Sequence, residues 1–558
     1  MKLLTISSVK ILVILFFQQI LLAQMPKADL IFVNGKIWTV DKSKPVAQAV
    51  AVLGDKIIAV GSNSEIKKYA GKNTKIVDLK RHLMLPGFID DHTHFVSGGF
   101  QLMSVNLRDA KTPEEFAQRI KEYAEKNPGR WITGGDWDHE LWGGELPRKE
   151  WIDKYTQNVP VFVTRYDGHM GLANSLALKL AGITRETPDP PGGLIVRDEN
   201  GEPTGILKDE AMSLVYRVIP EPTLEERINA IKLALEEAKK LGLTGIHDIG
   251  TTEDLRAYQE LYKRGELTLR VYLRLPISQW EDLAKLGIEV PFGNDFIRIG
   301  SLKAFADGSL GSMTALFFEP YDENPNTKGL ATDIVIDGRL EKWAIEADKA
   351  KLQLSIHAIG DSANSLVLTL FEKIVRENPS WDRRFRIEHA QHIHPKDFAR
   401  FKNLNVIASM QPYHAIDDGR WAEKRIGKER CRTSYAFRTF LDHGVKLCFG
   451  SDWNVAPLSP ILGIYAAVTR QTLDGKHPEG WFPEQKISVE EAVECYTINN
   501  AYAEFAENEK GSITPGKFAD FVVLSENIFN IPGEKIKDVE VLMTVVGGKI
   551  VYQNPNFK

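Results

Sequence analysis

The sequence predicts an α/β protein built on a (β/α)8 TIM barrel, with a small β-sandwich from both chain ends and a subdomain inserted after the first barrel strand. Three observations predict this architecture. The middle of the 558-residue chain alternates apolar strands with helical patterns, both ends are rich in β-like runs, and one interval between strands is unusually long. Repeated strand–helix units favour a parallel sheet, and eight of them favour a closed barrel.

The barrel is predicted from eight short apolar runs, most of them followed by a helical pattern. One such pattern covers 224–241, where Thr223 and Glu226 are placed to form a capping box. The predicted barrel strands are 88–94, 244–249, 269–275, 298–305, 353–358, 385–390, 406–411 and 445–452.

The β-sandwich is predicted from the two ends of the chain. Near the N-terminus, β-like runs are separated by turns at Asn34-Gly35 and Gly54-Asp55, and runs of the same character recur after residue 517. We therefore expect one small sandwich completed by both ends. The β-like runs lie at 30–33, 36–40, 49–53, 57–60, 518–524, 541–546 and 549–552.

The inserted subdomain is predicted from the interval of about 150 residues between the first two barrel strands, which is far longer than an ordinary loop. This interval has its own strand at 159–165, a helix at 113–125 and a Pro/Gly-rich loop at 188–193. We place it on the C-terminal rim of the barrel, where TIM-barrel active sites lie. The predicted domains are 25–85 and 510–558 for the sandwich, and 86–509 for the barrel with the insertion at 95–240.

The first 24 residues have the pattern of a secretory signal peptide. Lys2 and Lys10 precede an apolar run at 11–17, and a small residue, Ala23, stands near the end. The run is short for a membrane span, which needs about 20 apolar residues. We expect export to the periplasm or the extracellular space without stable membrane insertion after cleavage; an uncleaved anchor is the alternative.

Composition gives few further constraints. The net charge of −5 does not indicate nucleic-acid binding or an anionic membrane surface. The three cysteines, Cys431, Cys448 and Cys495, are too few and too far apart for a disulfide framework or a CxxC metal site. We expect them to be core thiols.

Two histidines end the first predicted barrel strand, in the segment PGFIDDHTH at 86–94. Residues i and i+2 of a strand point to the same face, so His92 and His94 are both expected to face the barrel interior. Two imidazoles at this spacing can converge on one divalent ion, although the HxH pattern alone is weak.

Three further residues of metal-binding type follow later strands. His357 ends the fifth, His389 the sixth and Asp452 the eighth, so all three are expected at the C-terminal mouth of the barrel. Imidazoles together with a carboxylate and an open position are the ligand chemistry of catalytic zinc and related metals. The sequence therefore predicts a divalent metal site there.

The motifs PGFIDDHTH, HAIGD, EHAQ and GSDW, in this order, resemble the amidohydrolase superfamily, as does the C-terminal segment GSITPGKFADFVVL. The resemblance is closest to the amidohydrolase-3 or YtcJ-like branch, which includes N-substituted formamide deformylase, and extends from about residue 28 to 555. It implies hydrolysis of a non-peptide C–N bond of amide type, such as an N-acyl or N-formyl bond, by metal-activated water.

The resemblance also implies roles for the ligand set. His92, His94 and Asp452 would bind a first ion, expected to be zinc, and His357 and His389 a second. Asp452 would in addition accept the proton of the attacking water and pass it to the leaving nitrogen.

Lys303 falls where members of this superfamily often carry a lysine carboxylated by carbon dioxide, which bridges two ions. The alternative is an uncarboxylated lysine paired with Asp307 or Asp452. The choice decides between two ions and one.

Four residues are candidates for substrate contact. His414, after the seventh strand, and His169, in the insertion, match family segments; Trp137 and Trp453 could line an apolar pocket. For the histidines the alternative is a role in loop structure, and for the tryptophans a place in the core.

Two other functional classes remain open at this stage. One is a metal-dependent isomerase or C–O hydrolase on the same scaffold, since a fold does not fix its chemistry. The other is a periplasmic metal- or ligand-binding protein without catalysis, although the complete ligand set argues against it. In each case we expect a small-molecule ligand and no nucleic acid, and a homo-oligomer is compatible with the sequence.

Overall fold

The computed structural model describes residues 25–165, 170–190 and 193–557. The signal peptide predicted at 1–24 lies outside these ranges, and with it the observation on which export depends. The described residues form two compact units. One consists of His94–Glu236 with Gly250–Leu267, and the other contains the rest.

The larger unit contains the predicted TIM barrel, which the structure confirms. Consecutive strands pair in parallel around the barrel. A bridge between Thr93 and Trp453 and a hydrogen bond from the Asp452 amide to the His92 carbonyl, at 2.8 Å, join the last strand region to the first. The eight strands are Phe88–Thr93, Leu243–Ile249, Arg270–Pro276, Ile297–Phe305, Leu354–Ala358, Arg386–His389, Ile407–Met410 and Leu447–Phe449.

These strands form where predicted because they are buried along nearly their whole length, as parallel strands covered by helices must be. Seven begin and end within one residue of the predicted bounds. The eighth is shorter, because the chain turns out of strand geometry before Asp452. A two-residue strand, Phe292–Gly293, pairs antiparallel with the fourth barrel strand.

Two further sheets of the larger unit pack on one another: the first comes from the N-terminal part of the chain, and the second combines strands from both ends. Their facing side chains, among them Phe32, Val50, Met84, Phe521 and Val545, form one core. The first sheet contains Leu30–Val33, Ala49–Leu53, Lys56–Gly61 and Lys75–Asp78; the second contains Lys36–Trp38, Val46–Ala47, Leu83–Pro86, Phe521–Leu524, Val541–Val546 and Lys549–Gln553.

A single glycine connects this second sheet to the barrel. Gly87 separates the sheet strand Leu83–Pro86 from the first barrel strand Phe88–Thr93, and its amide donates to the Asp520 carbonyl at 2.9 Å. A Cβ atom at this position would lie 2.2 Å from the Thr244 side chain. The close packing between the first two barrel strands therefore requires glycine here.

The helices of the larger unit mostly follow barrel strands and cover the outside of the sheet. Among the described residues, no helix combines the length and the hydropathy that a membrane span requires. The helices are Asn63–Ile66, Trp280–Lys285, Asp333–Ile336, Arg339–Lys349, Asp361–Glu377, Phe398–Asn403, Pro412–Asp418, Ala422–Cys431, Phe437–Asp442, Pro460–Thr469, Val489–Cys495 and Ile498–Ala503.

The smaller unit has a five-stranded mixed sheet and two hydrophobic cores. In sheet order its strands are Gly193–Arg197, Pro203–Asp209, Met170–Ala173, Val161–Arg165 and Ile132–Trp137. Its helices are Phe95–Met103, Pro113–Lys126, Glu150–Asp153, Ser175–Leu180, Ser213–Tyr216, most of Leu224–Lys240, and Thr252–Lys263.

Candidate metal centre

Three side chains of metal-binding type converge at the barrel mouth. One ligand atom each of His92, His389 and Asp452 can be chosen so that all three lie within 4.8 Å of one another. His92 Nε2 lies 3.4 Å from Asp452 Oδ1, and the ring centres of His92 and His389 are 4.9 Å apart. The structure thus brings together residues from the first, sixth and eighth strand regions.

Two of these residues have left-handed backbone, at the point where the chain leaves the barrel sheet. The φ angles are 71° for His389 and 60° for Asp452. For a side chain other than glycine this conformation costs about 1–2 kcal/mol. Strain of this kind concentrates at functional sites, where the surrounding structure holds it in place. Here the left-handed conformation lets the side chains of His389 and Asp452 converge with that of His92.

The imidazoles of this group are held neutral. Burial, followed by the nearby charge of Lys303, lowers the pKa of His92 to about 3 and that of His357 to about 4. Burial also holds the pKa of His389 well below its ordinary value. A neutral imidazole is the form that binds a metal ion, so no proton has to be removed first.

His357 adjoins the three-residue group. Its ring centre lies 4.5 Å from that of His389, and its Nε2 donates a hydrogen bond to the Gly308 carbonyl at 3.0 Å. Asp307, 3.5 Å from the same nitrogen, accepts hydrogen bonds from the amides of Ile359 and Gly360. This tautomer leaves Nδ1 of His357 as the nitrogen that can act as a ligand.

Lys303 is buried in the barrel, two residues before the end of the fourth strand. Within the described parts of the chain, its Nζ has no hydrogen-bond partner and forms no ion pair with Asp307 or Asp452. Nζ lies 4.8 Å from the centre of the Phe305 ring, and burial lowers the pKa of Lys303 to about 7. Among the described residues, the structure therefore does not support the alternative in which Lys303 is paired with Asp307 or Asp452.

His94 occupies a different backbone position from the one predicted. The first barrel strand ends at Thr93, and His94 is the N-cap residue of the helix Phe95–Met103. Strand alternation therefore does not extend to this residue. Its role as a ligand remains a prediction.

Asp452 also contacts the predicted substrate residue His414. His414 lies in the helix Pro412–Asp418, directly after the seventh strand, and its Nε2 is 3.2 Å from Asp452 Oδ2. Although burial lowers it, the hydrogen bond to Asp452 and the charges of Asp452 and Asp418 raise the pKa of His414 above its ordinary value. His414 therefore donates to one oxygen of this carboxylate while the other faces His92.

A buried ion network supports the centre from inside the barrel. Glu388 Oε2 lies 2.5 Å from His92 Nδ1, and Oε1 lies 2.7 Å from Arg274 Nη1 and 3.2 Å from Arg386 Nε. Although burial raises it, these two guanidinium groups hold the pKa of Glu388 well below its ordinary value. His92 therefore donates from Nδ1 to a carboxylate, which leaves Nε2 directed at the metal centre.

The network continues below Arg386. Its Nη2 lies 2.6 Å from Asp91 Oδ1, which is also 2.8 Å from His247 Nδ1. His247 Nε2 is 3.4 Å from Glu504, and Glu504 pairs with Lys510 at 2.8 Å. His247 therefore belongs to the buried ion network of the barrel interior.

The donor set fits a divalent ion of the zinc type. It supplies two neutral imidazoles and one carboxylate, and three protein ligands with an open position are typical of catalytic zinc. His389 Nδ1 is buried and has no hydrogen-bond partner among the described residues. A ligand would satisfy this nitrogen, since buried polar atoms are rarely left unpaired.

The other predicted substrate residues have different surroundings. Trp137 is fully buried in the core of the smaller unit, where its indole N–H donates to the Val163 carbonyl at 2.8 Å, so these contacts give it a packing role instead of the predicted substrate contact. Trp453 follows Asp452, is 7% exposed and pairs through its backbone with Thr93. His169 lies outside the described residues.

Sequence reasoning missed Glu388, Arg274 and Arg386 as supports of the centre. A signal was present, because Arg386 and Glu388 stand at positions i and i+2 of a buried strand and therefore share a face. Charged residues are almost never fully buried unless they are paired. Two of them in a strand of four residues indicate an internal ion network.

Comparison with known proteins agrees with this geometry. Residues 75–552 match the model of the amidohydrolase family. Protein LONG AFTER FAR-RED 3 of Arabidopsis thaliana is 41% identical over 541 residues, covering 94% of this chain and 92% of that protein. N-substituted formamide deformylase of Arthrobacter pascens is 28% identical over 548 residues, covering 94% and 98%.

A solved structure gives the same result. The crystal structure of an uncharacterized metal-dependent hydrolase from Pyrococcus horikoshii superimposes with a TM-score of 0.78 at 30% identity, covering 90% of this chain and 99% of that one. The family match spans most of the chain and includes every residue of the proposed centre. The chain therefore belongs to the amidohydrolase family and is a metal-dependent hydrolase in the branch that its motifs predicted.

Proposed function

We propose that the protein hydrolyses a non-peptide carbon–nitrogen bond of amide type, such as an N-acyl or N-formyl bond, in a small molecule. The observation that carries this proposal is the convergence of His92, His389 and Asp452, with Asp452 held by His414. The similarity to an N-substituted formamide deformylase over nearly the whole chain supports the choice of an amide bond.

His92, His389 and Asp452 would hold a divalent ion, for which we propose zinc, and His357 with Lys303 would extend the ligand set to a second. Such an ion would activate a water molecule and polarise the scissile carbonyl. The residues of the chain contribute the proton transfer. Asp452 accepts a proton from the attacking water and delivers it to the leaving nitrogen, which must be protonated before it can depart.

His414 and Glu388 orient the reacting groups. The hydrogen bond from His414 Nε2 fixes the rotation of the Asp452 carboxylate, so that Oδ1 faces the centre while Oδ2 is occupied. Glu388 fixes the ring of His92 through Nδ1. Fixed rotamers reduce the reorganisation needed during proton transfer, which is the usual benefit of a preorganised site.

The experiment that tests the function is a panel of small amides assayed with metal-loaded and chelator-treated protein. We expect N-formyl or N-acyl amines to be hydrolysed, activity to disappear with the chelator, and added zinc to restore it. Esters of the same acyl groups serve as the control for C–O chemistry. Hydrolysis of esters alone, or no hydrolysis by fully metal-loaded protein, would show the amide assignment to be wrong.

We also propose that Lys303 is carboxylated in the metal-loaded protein. A buried amine without a hydrogen-bond partner among the described residues is costly, and carboxylation would convert it into an anionic oxygen ligand beside neutral imidazoles. Metal-loaded protein in carbon-13-labelled bicarbonate should then show a carbamate resonance by NMR. Lys303→Met should lack this resonance, and the exposed control Lys396→Met should keep it. An unchanged resonance in Lys303→Met contradicts the proposal.

A further inference from the structure

The carboxylate of Asp418 lies one helical turn from His414, at the end of the helix Pro412–Asp418. Its Oδ2 accepts two hydrogen bonds, one from the Tyr435 hydroxyl at 2.5 Å and one from Gln391 Nε2 at 3.0 Å. Both donors are buried, at 1% and 3% exposure, whereas Asp418 is partly exposed. Two buried donors therefore fix the position of Oδ2, and with it the orientation of the carboxylate.

The donor Gln391 is itself held in place by a chain of hydrogen bonds. Its Nε2 also lies 3.1 Å from His392 Nε2, and His392 Nδ1 lies 2.6 Å from the Ser434 hydroxyl. Burial lowers the pKa of His392 to about 3, so this histidine is neutral. Its Nε2 therefore accepts from Gln391 and its Nδ1–H donates to Ser434, which leaves the second N–H of Gln391 for Asp418.

The donor Tyr435 is held through its backbone. Its amide donates to the Gln391 carbonyl at 2.8 Å, and its carbonyl accepts from Arg470 Nη1, also at 2.8 Å. Arg470 is fully buried, and its guanidinium group donates hydrogen bonds to backbone carbonyls, including those of Trp481 and Tyr435. Both donors to Asp418 Oδ2, Gln391 and Tyr435, are therefore held in place by buried hydrogen bonds.

The second oxygen of Asp418 has no such partner. Within the described ranges, Oδ1 accepts no hydrogen bond, and no lysine or arginine pairs with this carboxylate. Several more deeply buried carboxylates of this unit are paired with arginine, as Glu388 is with Arg274, Asp348 with Arg383 and Asp520 with Arg270. Asp418 is therefore a fixed, partly exposed carboxylate with one acceptor open and, among the described residues, no lysine or arginine paired with it.

The position of this acceptor relates it to the proposed chemistry. Residues four apart on a helix lie about 5–6 Å from each other, so Asp418 and His414 are neighbours on one helix face. Although burial lowers the pKa of His414, the hydrogen bond and charge of Asp452 raise it, and the charge of Asp418 adds to this effect. A ligand group bound at Asp418 would therefore lie within one small molecule's length of the scissile bond.

We propose that Asp418 Oδ1 is the recognition point for a protonated amine of the substrate, so that the preferred amides carry an ammonium group beyond the bond that is cleaved. A partly desolvated carboxylate without a lysine or arginine partner gains most from a charged donor, because charge-assisted hydrogen bonds are roughly twice as strong as neutral ones. This inference rests on the proposed amide hydrolysis and names its substrate class.

The kinetic test compares N-acyl monoamides of α,ω-diamines with N-acyl alkylamines of the same chain length. For the best length, we expect kcat/KM to favour the ammonium substrate by about 10- to 100-fold, the range for one hydrogen bond to a charged group. Asp418→Asn keeps the size and an acceptor for Tyr435 and Gln391 but removes the charge, so the preference should disappear. Asp417→Asn, its neighbour paired with Arg420, should retain it.

A binding measurement makes the test independent of turnover. By calorimetry, metal-loaded protein should bind hexylammonium at least about 10-fold more tightly than 1-hexanol, and Asp418→Asn should remove the difference. If hexylammonium binds through Asp418 but no amide is hydrolysed, the proposed function fails and this site stands. If amides of both kinds are hydrolysed equally and hexylammonium binds no better than hexanol, the site is wrong and the function stands.

Discussion

Replacing Asp452 with asparagine should lower turnover of the best amide substrate by about two to four orders of magnitude, while the protein still binds its metal. The amide side chain keeps the size of the carboxylate and one oxygen toward His92, but it cannot accept a proton from water. Steady-state kinetics should be measured alongside metal content, so that loss of the ion is separated from loss of proton transfer.

The matched control for this substitution is Asp442→Asn. Asp442 ends the helix Phe437–Asp442, and its side chain is 61% exposed and pairs only with Arg438 among the described residues, at 3.5 Å. The turnover of the Asp442→Asn variant should equal that of the wild type. If Asp452→Asn binds metal normally and hydrolyses the substrate at an unchanged rate, proton transfer belongs to another residue.

Replacing His389 with asparagine should weaken metal binding by more than the roughly 10- to 100-fold that loss of an outer-shell partner costs, because it removes an imidazole that we propose binds the ion directly. Asparagine is chosen because it tolerates the left-handed backbone that His389 adopts, so strain is not added. Chelator competition on the purified protein gives the affinity directly.

The control here is His443→Asn. This histidine is exposed at the end of a helix, where its Nδ1 donates to the Thr439 carbonyl of its own helix. Thermal unfolding of the chelated proteins should place both variants close to the wild type. An unchanged metal affinity in His389→Asn would remove this residue from the ligand set.

The barrel could be predicted closely because its strands are buried and apolar, so that hydrophobic runs and strand bounds coincide. Seven of the eight strands match to within one residue, and the eighth was predicted too long at both ends. Its true end depends on the left-handed turn at Asp452, which tertiary contacts impose. Gly450 and Ser451 are turn-forming residues that indicate an earlier strand end, but they do not reveal the left-handed conformation of Asp452.

The site could be predicted in its residue types but not in all of its geometry. His92, His389 and Asp452 converge as expected, and Lys303 lies beside them without an ion pair among the described residues. His94 illustrates the limit: strand alternation holds only while the strand continues, and here a helix begins instead. Whether one residue remains extended depends on the packing of the loop after it.

Asp418 and its frame could not have been found from sequence alone. Gln391 and His392 come from one loop and Tyr435 from another, and only the folded barrel brings them to the helix that ends at Asp418. Gln391 ends the motif EHAQ, but the resemblance gave no role to this glutamine, to His392 or to Tyr435. The open acceptor, Asp418 Oδ1, follows only from the three-dimensional positions of the donors, both of which bind Oδ2.

The strand Leu83–Pro86 has a consequence for the order in which the protein acquires its structure. It pairs with Phe521–Leu524, which lies in the last tenth of the chain, and it continues through Gly87 into the strand that carries His92. During synthesis one edge of this strand stays unpaired until almost the whole chain has left the ribosome, although its other edge can already pair with Lys36–Trp38. Pairing across so large a sequence separation is slow, and unpaired edges favour aggregation. The first-made residue of the proposed metal centre is therefore among the last to be fixed in place, and folding yield should depend on the chain's final β-strands as strongly as on the barrel itself.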